Sequence, residues 1–234
     1  MLDGSCISIV IPVGPGDATW PELLAQLAPQ LQAETEVLVA ATTPEPPEFI
    51  ALKPATVAEE RWRWLVGPPG RAAQQNHGAA MASRRFLWFL HADSRLGPDA
   101  VAALSQRLSA DPAALWYFDL RFLPDGPRLM WLNAIGAQLR SRLLGMPFGD
   151  QGLALSRETF HRLGEFRTDL RYGEDHLLVR AARRSGLRPR PVGAVLHTSA
   201  RKYRQQGWLG TTVTHFWRTW RQAFPEVTAW LRQR

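Results

Sequence analysis

The sequence predicts an α/β fold with a mainly parallel central sheet flanked by helices, and three observations lead to that prediction. Short apolar runs alternate with segments of helical periodicity along most of the chain, which is the pattern of repeated strand–helix units. Some runs, such as residues 86–90, are apolar throughout and therefore suit strands that are buried on both faces. Prolines and glycines stand at many of the breaks between the runs.

The strands are assigned to apolar runs bounded by polar or turn-forming residues. The first run, residues 7–13, ends in a Gly-Pro-Gly turn, and the run at 86–90 stops at a polar His-Ala-Asp-Ser segment. Residues 115–122 alternate in character, which predicts a strand open on one face. The other predicted strands are residues 36–40, 62–66, 152–155 and 192–196.

The helices are assigned where apolar residues recur every three to four positions. Residues 21–31 place leucines at that spacing after a proline start, and the alanine-rich segment 71–83 follows a Gly-Pro-Pro-Gly break. The proline-rich residues 43–54 predict a loop, or a loop with a short helix. The other predicted helices are residues 98–108, 128–144, 157–163 and 174–185.

The composition indicates a folded globular protein. The chain has 234 residues, of which 45% are apolar and 21% charged. No apolar stretch approaches the ~20 residues of a membrane span, and the first residues lack the features of a signal peptide. Its single cysteine, Cys6, forms no internal disulfide, which favours a reducing cytosol. We therefore expect a cytoplasmic protein, with residues 1–200 as one domain and 201–234 as a basic, Trp-rich helical appendage.

The net charge of +7 is concentrated at the C-terminal end. Residues 201–234 contain seven basic residues and one acid, together with four tryptophans: Trp208, Trp217, Trp220 and Trp230. Aromatic and basic residues together suit an interfacial helix on anionic lipid, which predicts a peripheral, membrane-associated protein. The alternative is that the tryptophans pack the appendage onto the body or onto a second subunit of a homodimer. No nucleic-acid-binding module is recognisable, so we expect no nucleic acid as partner.

Asp93 is the first candidate site residue, because it follows the apolar run 86–90. Ligands of open parallel sheets bind outside the carboxyl ends of the strands, where a carboxylate can hold a divalent cation against a phosphate. His197 follows the predicted strand 192–196 in the same way, which makes it a candidate second metal ligand or phosphate contact.

A helix start offers a candidate anion site. The segment 70–78 begins with a glycine break, so its free N–H groups and dipole suit an anion, with Arg71, Gln74 and Gln75 within one turn of each other. The alternative is an ordinary solvated helix start.

Carboxylates in two glycine-flanked turns are further candidates. Asp150 or Gln151, between glycines, could bind an acceptor hydroxyl, although aspartate is also common in ordinary turns. Glu174 and Asp175 open a helix after a glycine, so that one acid can cap the helix while the other acts as a general base.

Together these segments resemble glycosyltransferase family 2, which has the GT-A fold. The motifs occur in the order found in one bacterial branch: Gly-Arg-Ala-x-Gln-x-Asn-x-Gly at 70–78, Phe-Leu-His-Ala-Asp at 89–93, Gly-Asp-Gln-Gly at 149–152, Glu-Asp at 174–175 and Thr-Ser-Ala-Arg at 198–201. The resemblance covers residues 7–217. It implies inverting transfer of a hexosyl or related sugar from a nucleotide-diphosphate sugar to an acceptor hydroxyl. If the basic, Trp-rich tail lies on a membrane, such an enzyme could meet a lipid-linked acceptor.

The resemblance also implies roles for residues. Asp93 stands at the last carboxylate of the family's Asp-x-Asp motif and would hold Mg²⁺ or Mn²⁺ on the donor diphosphate, while His91 occupies the first position of the triplet. Asp175 matches the catalytic base, with Glu174 adjoining it, and His197 lies near a late histidine that some GT-A enzymes use on the metal. The expected donor contacts are Pro12, Val13, Arg71, Gln75, Asn76, Gly78 and Asp93, and the expected acceptor contacts are Asp150, Gln151 and Arg201.

Two departures from the family pattern concern nucleotide recognition. The chain has Gly14-Pro15 where the family usually has Asn-Glu, and residues 40–43 lack the aspartate that usually reads the nucleobase. Two alternatives therefore stay open. One is a catalytically degenerate protein that keeps the fold to bind a nucleotide or an anionic surface. The other is a nucleotidyltransferase, although the lysine-containing, glycine-rich loop expected after its first strand is missing.

Overall fold

A computed structural model describes residues 6–170, 172–208, 210 and 212 of the chain. The strands in chain order are β1 (Ile7–Val13), β2 (Glu36–Ala41), β3 (Trp62–Val66), β4 (Phe86–Phe89), β5 (Arg95–Leu96), β6 (Leu115–Phe122), β7 (Ala154–Ser156) and β8 (Pro189–Thr198). They form one eight-stranded sheet in the order β3-β2-β1-β4-β7-β6-β8-β5.

The sheet is mainly parallel, as the sequence predicts. Strand β1 pairs in parallel with β2 and β4, β2 pairs in parallel with β3, and β6 with β8. Strand β7 runs antiparallel to both of its neighbours, and the short β5 runs antiparallel to β8. The two-residue strand β5 was not predicted.

Helices cover both faces of the sheet. They are α1 (Trp20–Leu27), α2 (Pro47–Ala51), α3 (Arg71–Met81), α4 (Ala100–Ala110), α5 (Met130–Leu144), α6 (Arg157–Arg162), α7 (Glu174–Arg184) and α8 (Arg201–Gln206). Apolar residues of α1 and α4 belong to one core cluster, and those of α3, α6 and α7 to another. None of these described helices is long and apolar enough to cross a membrane.

The two core clusters explain why β1 is apolar throughout. Ile9 and Ile11 point into the cluster with α1, while Val10 between them points into the cluster with α3. Because successive side chains of a strand alternate between faces, a strand covered on both sides needs apolar residues at every position.

The prediction that residues 115–122 form a strand open on one face is wrong. The first six residues of β6 are buried. Trp116 and Phe118 belong to one core cluster, while Leu115 and Tyr117 belong to the other. Both faces of the strand are covered because one core cluster contains residues of α4 and the other contains residues of α6 and α7.

Helix α3 packs closely against β1. This contact fixes the start of α3 at the carboxyl ends of the strands. A Cβ at Gly78 would lie 2.5 Å from Cγ1 of Val10, so only glycine fits at that position. The side-chain amide of Gln74, one turn earlier, donates to the carbonyls of Val13 at 2.6 Å and Ala40 at 3.0 Å. These bonds tie the start of α3 to the carboxyl ends of β1 and β2.

The predicted appendage, residues 201–234, is described only in its first part, and Trp217, Trp220 and Trp230 lie outside the described residues. The described part contacts α5, since Nε1 of Trp208 donates to Oδ1 of Asn133 at 2.8 Å. The membrane contact and homodimer predicted for the tail therefore stay predictions.

Candidate active site

A cleft of about 480 Å³ lies at the carboxyl ends of β1 and β4, where ligands of open α/β sheets bind. Segments that are distant in sequence meet there: the end of β1, the start of α3, the residues after β4 and the start of α8. The lining residues are Pro12, Gly14, Pro15, Asp17, Thr19, Gly70, Arg71, Gln74, His91, Ala92, Asp93 and Arg201.

Asp93 lies in this cleft near a second carboxylate, that of Asp17. Burial raises the pKa of Asp93 above its ordinary value, and the charge of Asp17 raises it further, while Arg95 and Arg201 act in the opposite direction. A cation placed between two such carboxylates would relieve their repulsion. Asp17 was not singled out from the sequence, because it occurs in an ordinary-looking turn after Gly14-Pro15-Gly16.

These residues fit a cation that is shared with a phosphate ligand. Within the described residues no group of three or more His, Cys, Asp or Glu side chains could hold a metal by itself. Mg²⁺ in phosphate-handling sites is typically bound by one or two carboxylates, with substrate phosphates and water completing the shell. Asp93 and Asp17 would provide that number of ligands, with Oδ1 of Asp17 already accepting bonds from the N–H and hydroxyl of Thr19.

Arg71 is held at the rim of the cleft by Glu174. Its Nε donates to Oε1 of Glu174 at 2.5 Å, and Glu174 is only 3% exposed. Burial lowers the pKa of Arg71, but the bond and the charge of Glu174 outweigh it and raise the pKa. Glu174 is therefore engaged with Arg71 and positions that guanidinium, rather than facing a substrate as the second catalytic acid of the sequence assignment.

Asp175 is anchored by two main-chain donors. The N–H of Gly149 donates to its Oδ2 at 2.6 Å, and the N–H of His176 donates to its Oδ1 at 2.9 Å. Burial alone would raise the pKa of this carboxyl, but His176, Arg71 and the Gly149 N–H together hold it below its ordinary value. Asp175 is therefore ionised at neutral pH and available to accept a proton.

His91 joins the Asp93 cleft to the Asp175 carboxylate. It lines the cleft, and a Cβ at Gly149 would lie 3.2 Å from its Nε2 and 3.0 Å from Oδ2 of Asp175. Burial, together with the charge of Arg71, lowers the pKa of His91 to about 3. The imidazole is therefore neutral and adds no positive charge beside the carboxylates.

Asp150 lies next to Asp175 and has an unused acceptor atom. Its Oδ1 is buried and has no hydrogen-bond partner in the part of the chain that the structure describes. Burial and the nearby carboxylates of Asp175 and Asp93 raise its pKa to about 6, although Arg140 opposes the shift. An unsatisfied buried oxygen beside the candidate base suits a hydroxyl donor from a ligand.

The aromatic ring of Phe148, two residues before Asp150, packs against an imidazole and a guanidinium group. The Phe148 ring stacks on the His176 ring, with centroids 4.0 Å apart, and the Arg140 guanidinium lies 3.1 Å from the Phe148 centroid. Burial lowers the pKa of Arg140 to about 10, so it stays cationic at neutral pH. A cation over an aromatic ring is a favourable arrangement. The sequence reasoning missed this pair, because no local pattern links residues on α5 with the turn after it.

Gln151 has a structural position instead of the acceptor contact expected from the sequence. It is 0% exposed. Its Oε1 accepts hydrogen bonds from Ser141, Arg140 and the N–H of Phe148, while its Nε2 donates to the carbonyl of Phe118. The side chain joins α5, β6 and the turn at residues 148–151, and it is shielded from any ligand in the cleft.

Several predicted donor-binding residues do not line the cleft but pack or form hydrogen bonds behind its lining residues. Asn76 donates to the carbonyl of Phe166 at 2.8 Å and accepts from its N–H at 3.1 Å, and Gln75 is only 3% exposed. Val13 is buried and contributes its carbonyl to Gln74, and Gly78 lies against Val10. Of the expected donor contacts, Pro12, Arg71 and Asp93 line the cleft.

Of the two predicted site residues near the C-terminal end, Arg201 lies in the cleft and His197 does not. Arg201, expected on the acceptor side, lines the cleft with Asp93, which favours a donor contact. His197 is not among the lining residues of that cleft. It pairs with Arg95 and with Arg121 in the sheet, and burial and the Arg121 charge lower its pKa. A position between two arginines is unfavourable for a metal ligand.

The protein resembles several solved structures. No protein-family model matches the chain, and no curated protein does. S. aureus TarS (residues 1–349) superposes with a TM-score of 0.63 at 14% identity, covering 82% of this chain and 60% of that one. Its complex with UDP-GlcNAc gives a TM-score of 0.61 at 15% identity, covering 82% and 58%.

A mannosyltransferase structure has the same fold. The mannosyltransferase PcManGT from Pyrobaculum calidifontis, in complex with GDP-Man and Mn²⁺, gives a TM-score of 0.56 at 20% identity, covering 81% of this chain and 56% of that one. The chain thus spans between 56% and 60% of these solved structures. The expected α/β fold of the GT-A type, with its mainly parallel sheet, is thereby confirmed.

Proposed function

We propose that the protein is an inverting glycosyltransferase of family 2 that moves a hexosyl or related sugar from a nucleotide-diphosphate donor to an acceptor hydroxyl. The observation that carries the proposal is that His91, which lines the cleft together with Asp93, also lies beside the ionised Asp175. The fold shared with structures that contain UDP-GlcNAc or GDP-Man supports a nucleotide-sugar donor.

The cleft provides the charges that a departing diphosphate needs. Asp93 and Asp17 would hold Mg²⁺ or Mn²⁺, which when bound neutralises negative charge on the diphosphate. Arg71 and Arg201 line the same cleft, and guanidinium groups match phosphate oxygens in bidentate contacts. Glu174 keeps Arg71 in place. These groups stabilise the leaving group as its bond to the sugar breaks.

Asp175 is the proposed general base. As the acceptor oxygen bonds to the anomeric carbon, the carboxylate takes the hydroxyl proton, and the bond from that carbon to the diphosphate breaks on the opposite face. The configuration at the carbon is thereby inverted. The two main-chain N–H groups that anchor Asp175 fix its orientation for this transfer.

The acceptor is proposed to bind beside Asp150. The unpartnered Oδ1 of Asp150 can accept a hydrogen bond from an acceptor hydroxyl. The Phe148 ring has a supporting role, because His176 and Arg140 cover its two faces. Asp150 adjoins Asp175, so an acceptor held there has its reactive hydroxyl near the base.

Calorimetry with a panel of nucleoside diphosphates, with and without Mn²⁺, tests the donor site. One nucleotide should bind in a Mn²⁺-dependent manner, and Asp93→Asn should weaken that binding at least about tenfold, as expected for loss of a charge-assisted contact. Asp99→Asn is the matched control, because Asp99 is exposed and lies outside the cleft. Failure of every nucleotide to bind would contradict the proposal and support the degenerate, anionic-surface alternative.

The product distinguishes the remaining enzyme alternative. A glycosyltransferase releases a nucleoside diphosphate from the donor, whereas a nucleotidyltransferase releases pyrophosphate from a nucleoside triphosphate. Pyrophosphate release with a sugar phosphate, and no nucleoside diphosphate from a nucleotide sugar, would identify a nucleotidyltransferase.

A further inference from the structure

Helix α5 presents an apolar face to solvent. The side chains of this face, which we call the α5 face, are between 41% and 75% exposed, and they are Trp131, Leu132, Ile135, Leu139 and Leu143. At 3.6 residues per turn they fall within a stripe of about 120° around the helix axis. The buried side of the same helix carries Met130, Ala137 and Ser141. Surface helices normally have the opposite pattern, and a contiguous exposed apolar patch marks an interaction site.

The surroundings of the α5 face are basic. No Asp or Glu occurs between Asp125 and Asp150. Of the three arginines in this stretch, Arg140 lies on the opposite side of α5, Arg142 pairs with Asp119 at 2.7 Å, and Arg128 is exposed. At the N-terminal end of the face, Arg121 and Arg128 line a hollow of about 530 Å³ together with Trp131 and Ile135. Both arginines are exposed, and neither has an ion-pair partner within the described ranges.

We propose that the α5 face docks on an anionic lipid bilayer. Its apolar side chains would enter the boundary between headgroups and acyl chains, while Arg121 and Arg128 would contact lipid phosphates. A Trp- and Leu-bearing helix with flanking arginines and no acidic residue is the composition of helices that lie in this interface.

Charge decides between lipid and a second copy of the chain. The protein carries a net charge of +7, and the α5 face has no carboxylate of its own to pair with the arginines of another copy. Self-association through this face would therefore bring like charges together, whereas an anionic bilayer provides the complementary charge at every position.

The basic C-terminal segment starts beside the same helix. Asn133 on α5 accepts from Nε1 of Trp208 and donates to Oγ1 of Thr212 at 3.1 Å. The residues after Thr212 carry four of the chain's basic residues and three tryptophans. A segment of basic and aromatic composition thus follows in the chain directly after a residue that is bonded to α5.

The opposite side of α5 holds the acceptor side of the candidate site. Ser141 and Arg140 bind Oε1 of Gln151, and Arg140 covers the Phe148 ring. A bilayer at the α5 face is therefore about one helix diameter from that side of the site. If the proposed function holds, an acceptor hydroxyl carried by a membrane lipid can reach Asp175 from there.

Vesicle co-sedimentation of the full-length protein tests the docking. Phosphatidylcholine vesicles that contain phosphatidylglycerol should pellet the protein, and phosphatidylcholine vesicles alone should pellet it much less. Replacing Ile135 and Leu139 together by glutamate should weaken binding to the anionic vesicles at least about tenfold, because burial of one such side chain is worth about that factor. Equal pelleting of the double variant and the wild type would overturn the proposal, as would failure of the wild type to pellet.

Two further variants make the result specific. Ile50→Glu is the matched control, because Ile50 is 61% exposed on α2, outside the α5 face, and should keep wild-type binding. Leu143→Glu, at the most exposed position of the face, provides a second test with little risk to folding, since Leu143 is 75% exposed.

Sedimentation velocity without lipid identifies a competing occupant. A wild-type dimer that the double variant dissociates, together with no vesicle binding, would assign the face to a second copy and overturn the lipid proposal. Nucleotide binding by the double variant should match the wild type, because its substitutions lie outside the cleft. The docking and the proposed function can therefore fail independently.

Discussion

The main-chain N–H of Gly149 donates to Oδ2 of Asp175 at 2.6 Å and thereby joins the turn after α5 to the start of α7. The bond holds the carboxylate in one orientation and favours its ionised form. Position 149 is also tightly enclosed, since a Cβ there would lie 3.0 Å from Oδ2 of Asp175 and 3.2 Å from Nε2 of His91. The glycine therefore determines where the candidate base lies.

We expect Gly149→Ala to lower kcat with little effect on donor binding. The added methyl group must push Asp175 or His91 aside by a few tenths of an ångström. Because a displacement of about 1 Å can cost roughly 100-fold in rate, we expect a smaller loss here, of up to about tenfold. Nucleoside diphosphate release gives the rate, and calorimetry gives the donor affinity. Gly136→Ala on α5 is the control, because no atom lies within 4 Å of a Cβ there. A Gly149→Ala enzyme with wild-type kcat would show that the orientation of Asp175 is unimportant.

Asp175→Asn should abolish most transfer while leaving the donor bound. The amide keeps the shape of the side chain but cannot take the proton, and loss of a general base typically lowers the rate about 10²–10⁴-fold. Asp93→Asn should instead affect donor binding, and lower the affinity for the nucleoside diphosphate at least about tenfold. If Asp175→Asn also removed donor binding, Asp175 would be a donor contact rather than the base.

The local sequence identified Glu174 and Asp175 as a pair, and only the resemblance to glycosyltransferase family 2 assigned Asp175 as the base. The division of their roles depends on partners that are remote in the chain: Arg71 for Glu174, 103 residues away, and Gly149 for Asp175, 26 residues away. Local pattern carries no information on such partners. Gln151 was assigned to the acceptor for the same reason, because the groups that bind it come from α5, β6 and its own turn.

The elements themselves were easier to predict. The strands at Ile7–Val13 and Trp62–Val66 have the predicted bounds, because apolar runs there end at Gly-Pro turns that no strand continues through. Strand β5 escaped prediction because its two residues, Arg95 and Leu96, form a strand only by pairing with β8, about 100 residues later in the chain.

We expect Gly78→Ala to destabilise the fold by about 1–3 kcal/mol, the usual cost of an extra methyl group in a filled core. The new Cβ would lie 2.5 Å from Cγ1 of Val10, which is fully buried in β1 and cannot move aside. Urea unfolding followed by circular dichroism measures the difference. The helix control Gly136→Ala should instead stabilise the protein by up to about 1 kcal/mol, because alanine favours helix and the site is open. Equal effects of the two substitutions would contradict the close packing of α3 on β1.

The raised pKa of Asp150 leads us to expect that its contribution to stability decreases as the pH rises. Burial, with the charges of Asp175 and Asp93, raises its pKa from 3.8 to about 6 in the folded protein. Between these values the folded state binds more protons at this site than the unfolded state, so its contribution to stability falls as the pH rises. Asp150→Asn should therefore stabilise the protein at pH 8 by up to about 2–3 kcal/mol, and the gain should vanish near pH 4.

Asp169 offers a control with the opposite sign. Its bond with Arg167 lowers the pKa of the Asp169 carboxyl, so the ionised form contributes stability that is present at neutral pH and lost on acidification. Asp169→Asn should accordingly give no gain at pH 8. Urea unfolding of both variants at pH 4 and pH 8 compares the signs directly. If Asp150→Asn instead destabilised the protein at pH 8, the prediction would be wrong. The attraction of Arg140 for the Asp150 carboxylate would then outweigh the cost of burying that charge beside Asp175.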